Sequence, residues 1–336
     1  MSIKKRVLTG ITTSGTPHLG NLAGAVLPAI QASKDNSTSS FLFLADYHSL
    51  IKNLDPKLTH SSSLEIAACW LACGLNPKKV TFYRQSDIQH IMELTWILSC
   101  LTAKGLLNRA HAYKDAVSKN QESKNKDLDK GITMGLFNYP VLMAADILMF
   151  NADIVPVGQD QQQHLEMTRE IARRFNHHYQ DLFTIPNAQI NKVSGVIPGL
   201  DGNKMSKSYN NVIPVFESKD KLRKSIMKIQ TNSLKPGDPK KTEGCTIFKI
   251  FQSFADEQEQ ENLKIDYSKG IAWGEAKERL FELLLDRLDP YRQEYKRIIK
   301  DKGEIENILQ EGASKAHEIS SPLMLKIREA VGIKSF

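Results

Sequence analysis

Residues 6–33 read RVLTGITTSGTPHLGNLAGAVLPAIQAS. They begin with a short β-rich run at 6–9, pass through a turn of glycine and hydroxyl residues, and continue at 21–33 with apolar residues at helical spacing. A strand that feeds a helix in this way is the building unit of a parallel sheet covered on both faces. The turn also supplies unpaired backbone N–H groups and the positive end of a helix dipole, a setting that suits phosphate. Gly10, Gly15 and Gly20 permit close backbone approach, and His18 and Asn21 add side-chain donors. Taken alone, the same residues also fit a tight turn with a satisfied histidine. The dinucleotide fingerprint G-x-G-x-x-G is absent here, which weighs against a dehydrogenase.

The pattern repeats downstream. β-rich runs at 40–45 and 80–84 precede helical segments at 58–74 and 88–101. A fourth strand at 154–157 follows an apolar helix at 141–150 and leads into a charged helix at 159–175. The expected fold is therefore α/β, a Rossmann-like doubly wound parallel sheet. Two stretches interrupt it. Residues 118–130, SKNQESKNKDLDK, are polar without periodicity and read as a surface loop or lid. Residues 199–211, GLDGNKMSKSYNN, read as a mobile loop. Beyond that loop the β signal fades, and 219–230, 246–254, 274–300 and 304–319 read as amphipathic helices. The expected units are 1–211, 212–310 and a closing segment at 311–336.

Composition bounds the function classes. The chain has 336 residues, 41% hydrophobic and 25% charged, ordinary values for a globular protein with a sizeable core. A net charge of +7 weakly favours a polyanionic partner. Cys69, Cys73, Cys100 and Cys245 form no C-x-x-C pair, so zinc ribbons, iron–sulfur runs and thioredoxin chemistry have no support. No metal site is expected from the residues. Free thiols point to a reducing compartment, and neither a signal-peptide run nor a membrane span is evident, so the expected location is cytoplasmic.

Within the 199–211 loop, Lys204-Met205-Ser206-Lys207-Ser208 sets two lysines three apart, within reach of one triphosphate, without the framing glycines of a Walker A loop. His18-Leu19-Gly20-Asn21 resembles the HIGH signature of class I aminoacyl-tRNA synthetases, and residues 204–208 match their KMSKS signature without a change. Residues 139–148, YPVLMAADIL, resemble the specificity helix of the tryptophan branch. Residues 155–161, VPVGQDQ, with His164, Glu166, Arg169 and Arg173-Arg174-Phe175-Asn176, look like its next strand–helix unit. Ala45-Asp46-Tyr47-His48 lies where that branch carries a D-x-H turn. The tyrosine branch shares the fold and a related G-x-D-Q turn but not the M-A-A-D-I-L run.

This resemblance, which covers nearly the whole chain, implies ATP, L-tryptophan and tRNA(Trp) as substrates, Mg²⁺ arriving with ATP, and a homodimer. It assigns Lys204, Lys207, His18, Asn21 and Ser206 to catalysis. Thr12, Thr13, Ser14, Gly20, Gly158, Gln159, Asp160, Val196, Met205 and Ser208 join them around ATP. For tryptophan it implies Asp146, Met143, Tyr139, Gln161, His48, Val155, Val157, Leu8 and Gly10. Indole has one polar atom, an N–H that only donates, so its pocket needs an acceptor; Asp146 supplies one, though a helix-interior ion pair is the alternative for that residue. Met143, one turn earlier, packs its thioether on the ring, while Gln161 and Tyr139 take the ammonium group. Asp160 serves the ribose or the metal, and the sequence leaves both open. The resemblance also implies that residues 212–310 bind the anticodon end of the tRNA, with Arg287, Arg292, Lys296, Arg297, Lys300 and Lys302 as basic contacts, and that 311–336 packs back on the nucleotide unit. The chain departs from the branch at Thr12 and Thr13, where glutamine and proline are common, at Gln159, where glutamate is usual, and near Leu8, where phenylalanine is usual.

Overall fold

A computed structural model of the chain describes residues 4–190 and 197–336, with the side chains of Asp160, Ile190 and Ser208 outside the description. Five parallel strands form one sheet: β1 (Lys5–Thr12), β2 (Thr38–Ala45), β3 (Thr81–Arg84), β4 (Ile154–Val157) and β5 (Asn187–Ile190), in the order β3-β2-β1-β4-β5. The order reverses between β1 and β4, the place where a doubly wound sheet opens a crevice at its strand ends. β1 and β2 pair in full, from Lys5 against Thr38 to Thr12 against Ala45, so their C-terminal ends are level.

Strand alternation sorts the side chains into two cores. Leu8, Phe41, Phe43, Ala45 and Tyr83 pack with the helices Gln89–Leu101, Met134–Leu148 and Gln162–His178. Ile11, Leu42, Leu44 and Phe82 pack with the helix Pro56–Ala72, with the first helix, and with the helical C-terminal region. A sheet buried on both faces explains why β2 carries the unbroken apolar run FLFLA. The first helix occupies 19–32 and contains a π turn at Leu22–Val26. Pro28, with no N–H to offer, lies just beyond that turn, where the ordinary ladder is already interrupted.

The expected fold class holds, with corrections to its parts. The 118–130 loop is a loop only in its second half, because Ser118 to Glu122 close the helix His111–Glu122. The helix expected at 141–150 is Met134–Leu148; Thr133 caps it by accepting from Leu136 N at 3.2 Å, and Pro140 stands inside it. Edge strand β5 and the helix Glu257–Ser268 were not expected from the pattern. That helix has a weak apolar stripe, but its start is marked by a capping box in which Asp256 and Glu259 exchange backbone bonds at 2.8 Å each.

The helices Lys219–Met227, Thr246–Gln252 and Trp273–Ile298 close a core of Leu222, Ile226, Phe248, Leu280, Leu284 and Leu288. The last helix runs on from Lys302 to Ala330, past the expected end at 319, and lies across β3. Its Gly312 is pressed so close to the sheet that an added Cβ would sit 1.7 Å from the Phe82 carbonyl oxygen. Around this contact Glu306 takes Arg84 at 2.6 Å, His317 Nε2 donates to the Asp87 carbonyl at 3.0 Å, and Arg328 pairs with Glu93. The helix thus clamps the C-terminal end of β3. Since the backbone of β3 must yield to any side chain there, Gly312→Ala should cost about 2 kcal/mol or more of stability. Urea unfolding checks this, and an unchanged midpoint would show that the contact is looser than described.

Candidate active site

The segment after β1 forms the first wall. Gly15 has φ +79°, and an added Cβ would lie 3.1 Å from the Lys207 ammonium. Its N–H donates to Ser62 Oγ at 2.6 Å, which fixes the turn. His18 caps the first helix in extended backbone and donates its N–H to Asn21 Oδ1 at 3.2 Å. Gly20 is required by close approach: an added Cβ would meet the His18 ring at 3.0 Å and Met205 Cβ at 3.4 Å. Its N–H points at Met205 Sδ, 3.3 Å away.

The loop carrying residues 204–208 therefore lies against the first helix. Met205 is buried as its anchor, facing the core, and the Lys207 ammonium donates to the Ser14 carbonyl. Two signatures far apart in sequence are brought together by these contacts. Asn211 holds the loop in shape: its Nδ2 donates to Asp201 Oδ1 at 2.7 Å and to the Lys204 carbonyl at 3.1 Å, while its Oδ1 accepts from Ser206 N at 2.8 Å. Loss of water around its ammonium, which turns in against Ser14, holds Lys207 down to about 8, against a smaller opposing effect of Glu65. Burial, helped by the nearby Lys207 charge, lowers His18 to about 4, so its imidazole is neutral at physiological pH. Thr13 Oγ1 and His18 Nδ1 are buried without a hydrogen-bond partner among the described residues. Such atoms are rare in folded proteins and mark places that a ligand or water completes.

The second wall is the helix Met134–Leu148, which puts Tyr139, Met143 and Asp146 on one face at i, i+4 and i+7. Asp146 is 1% exposed. Its Oδ2 takes His48 Nε2 at 2.9 Å and its Oδ1 accepts from Gln85 Nε2 at 2.7 Å. Burial is the main influence on this carboxyl and raises its proton affinity, which the His48 and Gln85 bonds partly offset. The helix-interior pairing is present, with His48 as partner, and a carboxylate with two donors still has lone pairs for a third. Two turns earlier on the helix, Tyr139 Oη lies 2.5 Å from His164 Nε2, and His164 Nδ1 lies 2.9 Å from Gln161 Oε1. Because Gln161 Oε1 can only accept, His164 Nδ1 donates and Nε2 accepts from Tyr139. Burial is the first reason Tyr139 is pushed up to about 12, so its hydroxyl stays protonated.

The remaining residues sort by depth. Thr12, Ser14, Gly158, Gln159 and Gly10 are exposed at the strand ends, and Val157 is the last residue of β4. Leu8 and Val155 are packed in the core. Val196 and the side chains of Asp160 and Ser208 lie outside the described residues. Among the basic residues expected to meet tRNA, Arg292 is a correction: it is 4% exposed and donates Nε to the Val215 carbonyl at 2.9 Å, so it braces the fold. Arg287 pairs with Glu259 and Asp286, and Arg297 with Glu294 and Glu304. Lys296, Lys300 and Lys302 remain exposed.

Sequence reading missed Gln85, Asn211 and the orienting role of His164. Gln85 and His164 do stand next to legible signals, the end of a strand and the G-x-D-Q turn. Nothing in their residue types distinguishes them until the fold supplies partners.

A family model for tRNA synthetases class I (W and Y) matches residues 3–289. The chain is 52% identical over 331 residues to a tryptophan–tRNA ligase of Neisseria meningitidis, covering 98% of both. It is 54% identical over 334 residues to one of Pseudomonas putida, covering 98% of this chain and 74% of that longer protein. Among solved structures, the tryptophanyl-tRNA synthetase of Campylobacter jejuni complexed with ADP and tryptophan is similar over 97% of this chain and 99% of its own, at 42% identity and a TM-score of 0.85.

The neutral His18 gives a test of the first wall. Its folded pKa lies below the unfolded value, so it withholds a proton that the unfolded chain binds; its contribution therefore weakens stability as pH falls from 6.5 toward 4. In NMR titrations the His18 ring should stay neutral until about pH 4, and His18→Asn should flatten the acid slope of stability. Ordinary titration near 6.5 would contradict the buried placement.

Proposed function

The chain belongs to the class I tRNA synthetases of the tryptophan and tyrosine group, and we propose that it is the tryptophan–tRNA ligase of that group. It joins L-tryptophan to ATP, forming tryptophanyl-adenylate and pyrophosphate, and then transfers tryptophan to tRNA(Trp). The observation that carries this reading is the buried Asp146 carboxylate on the same helix face as Tyr139 and Met143. An indole N–H meets an ionised acceptor there, and the thioether of Met143 offers the ring a polarizable surface. Tyr139 and Gln161, both oriented by His164, keep acceptor lone pairs for the substrate ammonium.

Catalysis in this reading is positioning with charge neutralisation. The tryptophan carboxylate attacks the α-phosphorus in line, its new P–O bond replacing the bond to pyrophosphate. Lys204 and Lys207 stand on the loop that lies over the first turn, where they meet the departing diphosphate. Lys207 gives up its bond to Ser14 for a phosphate oxygen, a stronger acceptor. His18, Asn21, Thr13 and the open helix start hold the nucleotide. Mg²⁺ enters with ATP and lowers the charge on its phosphates.

Residues 212–310 then receive the anticodon end of the tRNA, with Lys296, Lys300 and Lys302 as exposed phosphate contacts. The unit boundaries near 211 and 310 belong to the same proposal; the helix Lys302–Ala330 crosses the second and joins the two units mechanically. The protein works as a homodimer, for which the stripe of Met92, Trp96 and Cys100 on the helix Gln89–Leu101 is the face, with Trp96 71% exposed. No helix among the described residues is long and apolar enough to cross a membrane, and a cytoplasmic location accords with the free thiols.

Two measurements test the reading. Tryptophan should support both pyrophosphate exchange and charging of total tRNA, whereas tyrosine should support neither; the reverse would make this a tyrosine enzyme. Lys204→Ala should lower exchange by roughly 10²–10³ while tryptophan binding survives. Exchange at the wild-type rate would remove Lys204 from the mechanism.

A further inference from the structure

Gln85 has no solvent exposure and both ends of its amide are committed. Its Nε2 donates to Asp146 Oδ1 at 2.7 Å, and its Oε1 accepts the Tyr47 N–H at 3.1 Å. Rotating the amide would set two acceptors and two donors face to face, so this orientation is fixed. The turn that carries it, Gln85–Asp87, follows β3 directly and is tied on two further sides. Asp46 accepts from Ser86 N at 3.1 Å, and the closing helix reaches the turn through His317 at Asp87 and through Glu306 at Arg84.

We propose that Gln85 is a positioning and specificity residue for tryptophan: it aims the Asp146 carboxylate and keeps it an acceptor toward the indole N–H. The proposal rests on the tryptophan reading of the site. With Gln85 on one oxygen and His48 on the other, the carboxylate cannot turn about its own bond without breaking a charge-assisted contact. Its remaining lone pairs then point in one direction. An indole N–H can only donate, so a protonated Asp146 loses much of its value to the ring.

The titratable groups facing Asp146 are His48 and Asp46 on the segment Asp46–Ser49 and Tyr83 on β3. Burial and Asp46 favour the protonated acid, and only His48 and Gln85 oppose them. Removing Gln85 therefore removes one of two groups that keep the carboxyl ionised. Tryptophan affinity should fall as pH drops through the titration of Asp146, and without Gln85 that fall should begin at a higher pH.

The test compares Gln85→Leu and Gln85→Glu with the wild type, using tryptophan titrations across the acid-to-neutral range and steady-state exchange kinetics. In Gln85→Leu the KM for tryptophan should rise roughly ten- to a hundredfold, with the acid limb moved upward and with kcat and the KM for ATP little changed. Gln85→Glu should show the opposite slope. Its second carboxylate repels Asp146 at neutral pH, and acidification supplies a proton that Glu can donate as Gln did, so binding recovers. A wild-type KM for tryptophan and an unmoved acid limb in both variants would overturn the proposal. Equal rises in KM for ATP and tryptophan would also overturn it, since they indicate general damage to the site. Failure of the wild type to bind tryptophan would instead sink the functional reading beneath it.

Discussion

Asp146 takes a carboxylate out of water, and most of the site is built to make that tolerable. A charge at this depth is stable only with donors held in place around it. His48 comes from the end of β2 and Gln85 from the end of β3, while Asp146 itself comes from a helix packed over them. Three separate elements must be correctly placed before this carboxyl has both of its donors. The order of the sheet, the level ends of β1 and β2, and the clamp on β3 all serve that placement. On the proposed reading, specificity and stability are coupled here, because what orients the acceptor also offsets its burial.

The wall built by the two signature loops, the nucleotide side on the proposed reading, follows a different logic. The two signature loops lie near the surface, with Lys204 exposed while the Lys207 ammonium turns in against Ser14. Their contacts include a thioether against a glycine N–H and an ammonium on a backbone carbonyl. Asn211 gives the lysine loop an internal frame. On the proposed reading, an amino-acid pocket held by paired donors beside a set of exchangeable phosphate contacts suits a reaction whose chemistry is positioning rather than covalent catalysis.

The α/β class was legible because the strands that matter, at 6–9, 40–45, 80–84 and 154–157, are short apolar runs each bounded by turn residues. β5 was not, since Asn187-Ala188-Gln189-Ile190 takes its structure from pairing with β4 rather than from propensity. Pro140 hid the first half of the Asp146 helix, which a threonine cap and tertiary packing sustain. The candidate site was legible where a motif announced it, at residues 18–21, 204–208 and 139–148. Gln85, His164 and Asn211 act through partners distant in sequence or along a turn, and glutamine, histidine and asparagine are ordinary residue types anywhere. Arg292 shows the reverse error, a basic residue in a basic region that the fold uses as an internal brace.

The central claim is that Asp146 recognises the one polar atom of indole. It is tested most directly by comparing tryptophan with its benzothiophene analogue, in which sulfur replaces the N–H, as ligands of the wild type and of Asp146→Ala. A hydrogen bond to a charged acceptor is worth about 1.5–3 kcal/mol, so the wild type should bind the analogue roughly ten- to a hundredfold more weakly, and Asp146→Ala should not discriminate. Equal binding of the two ligands by the wild type, or discrimination that persists in Asp146→Ala, would contradict the account.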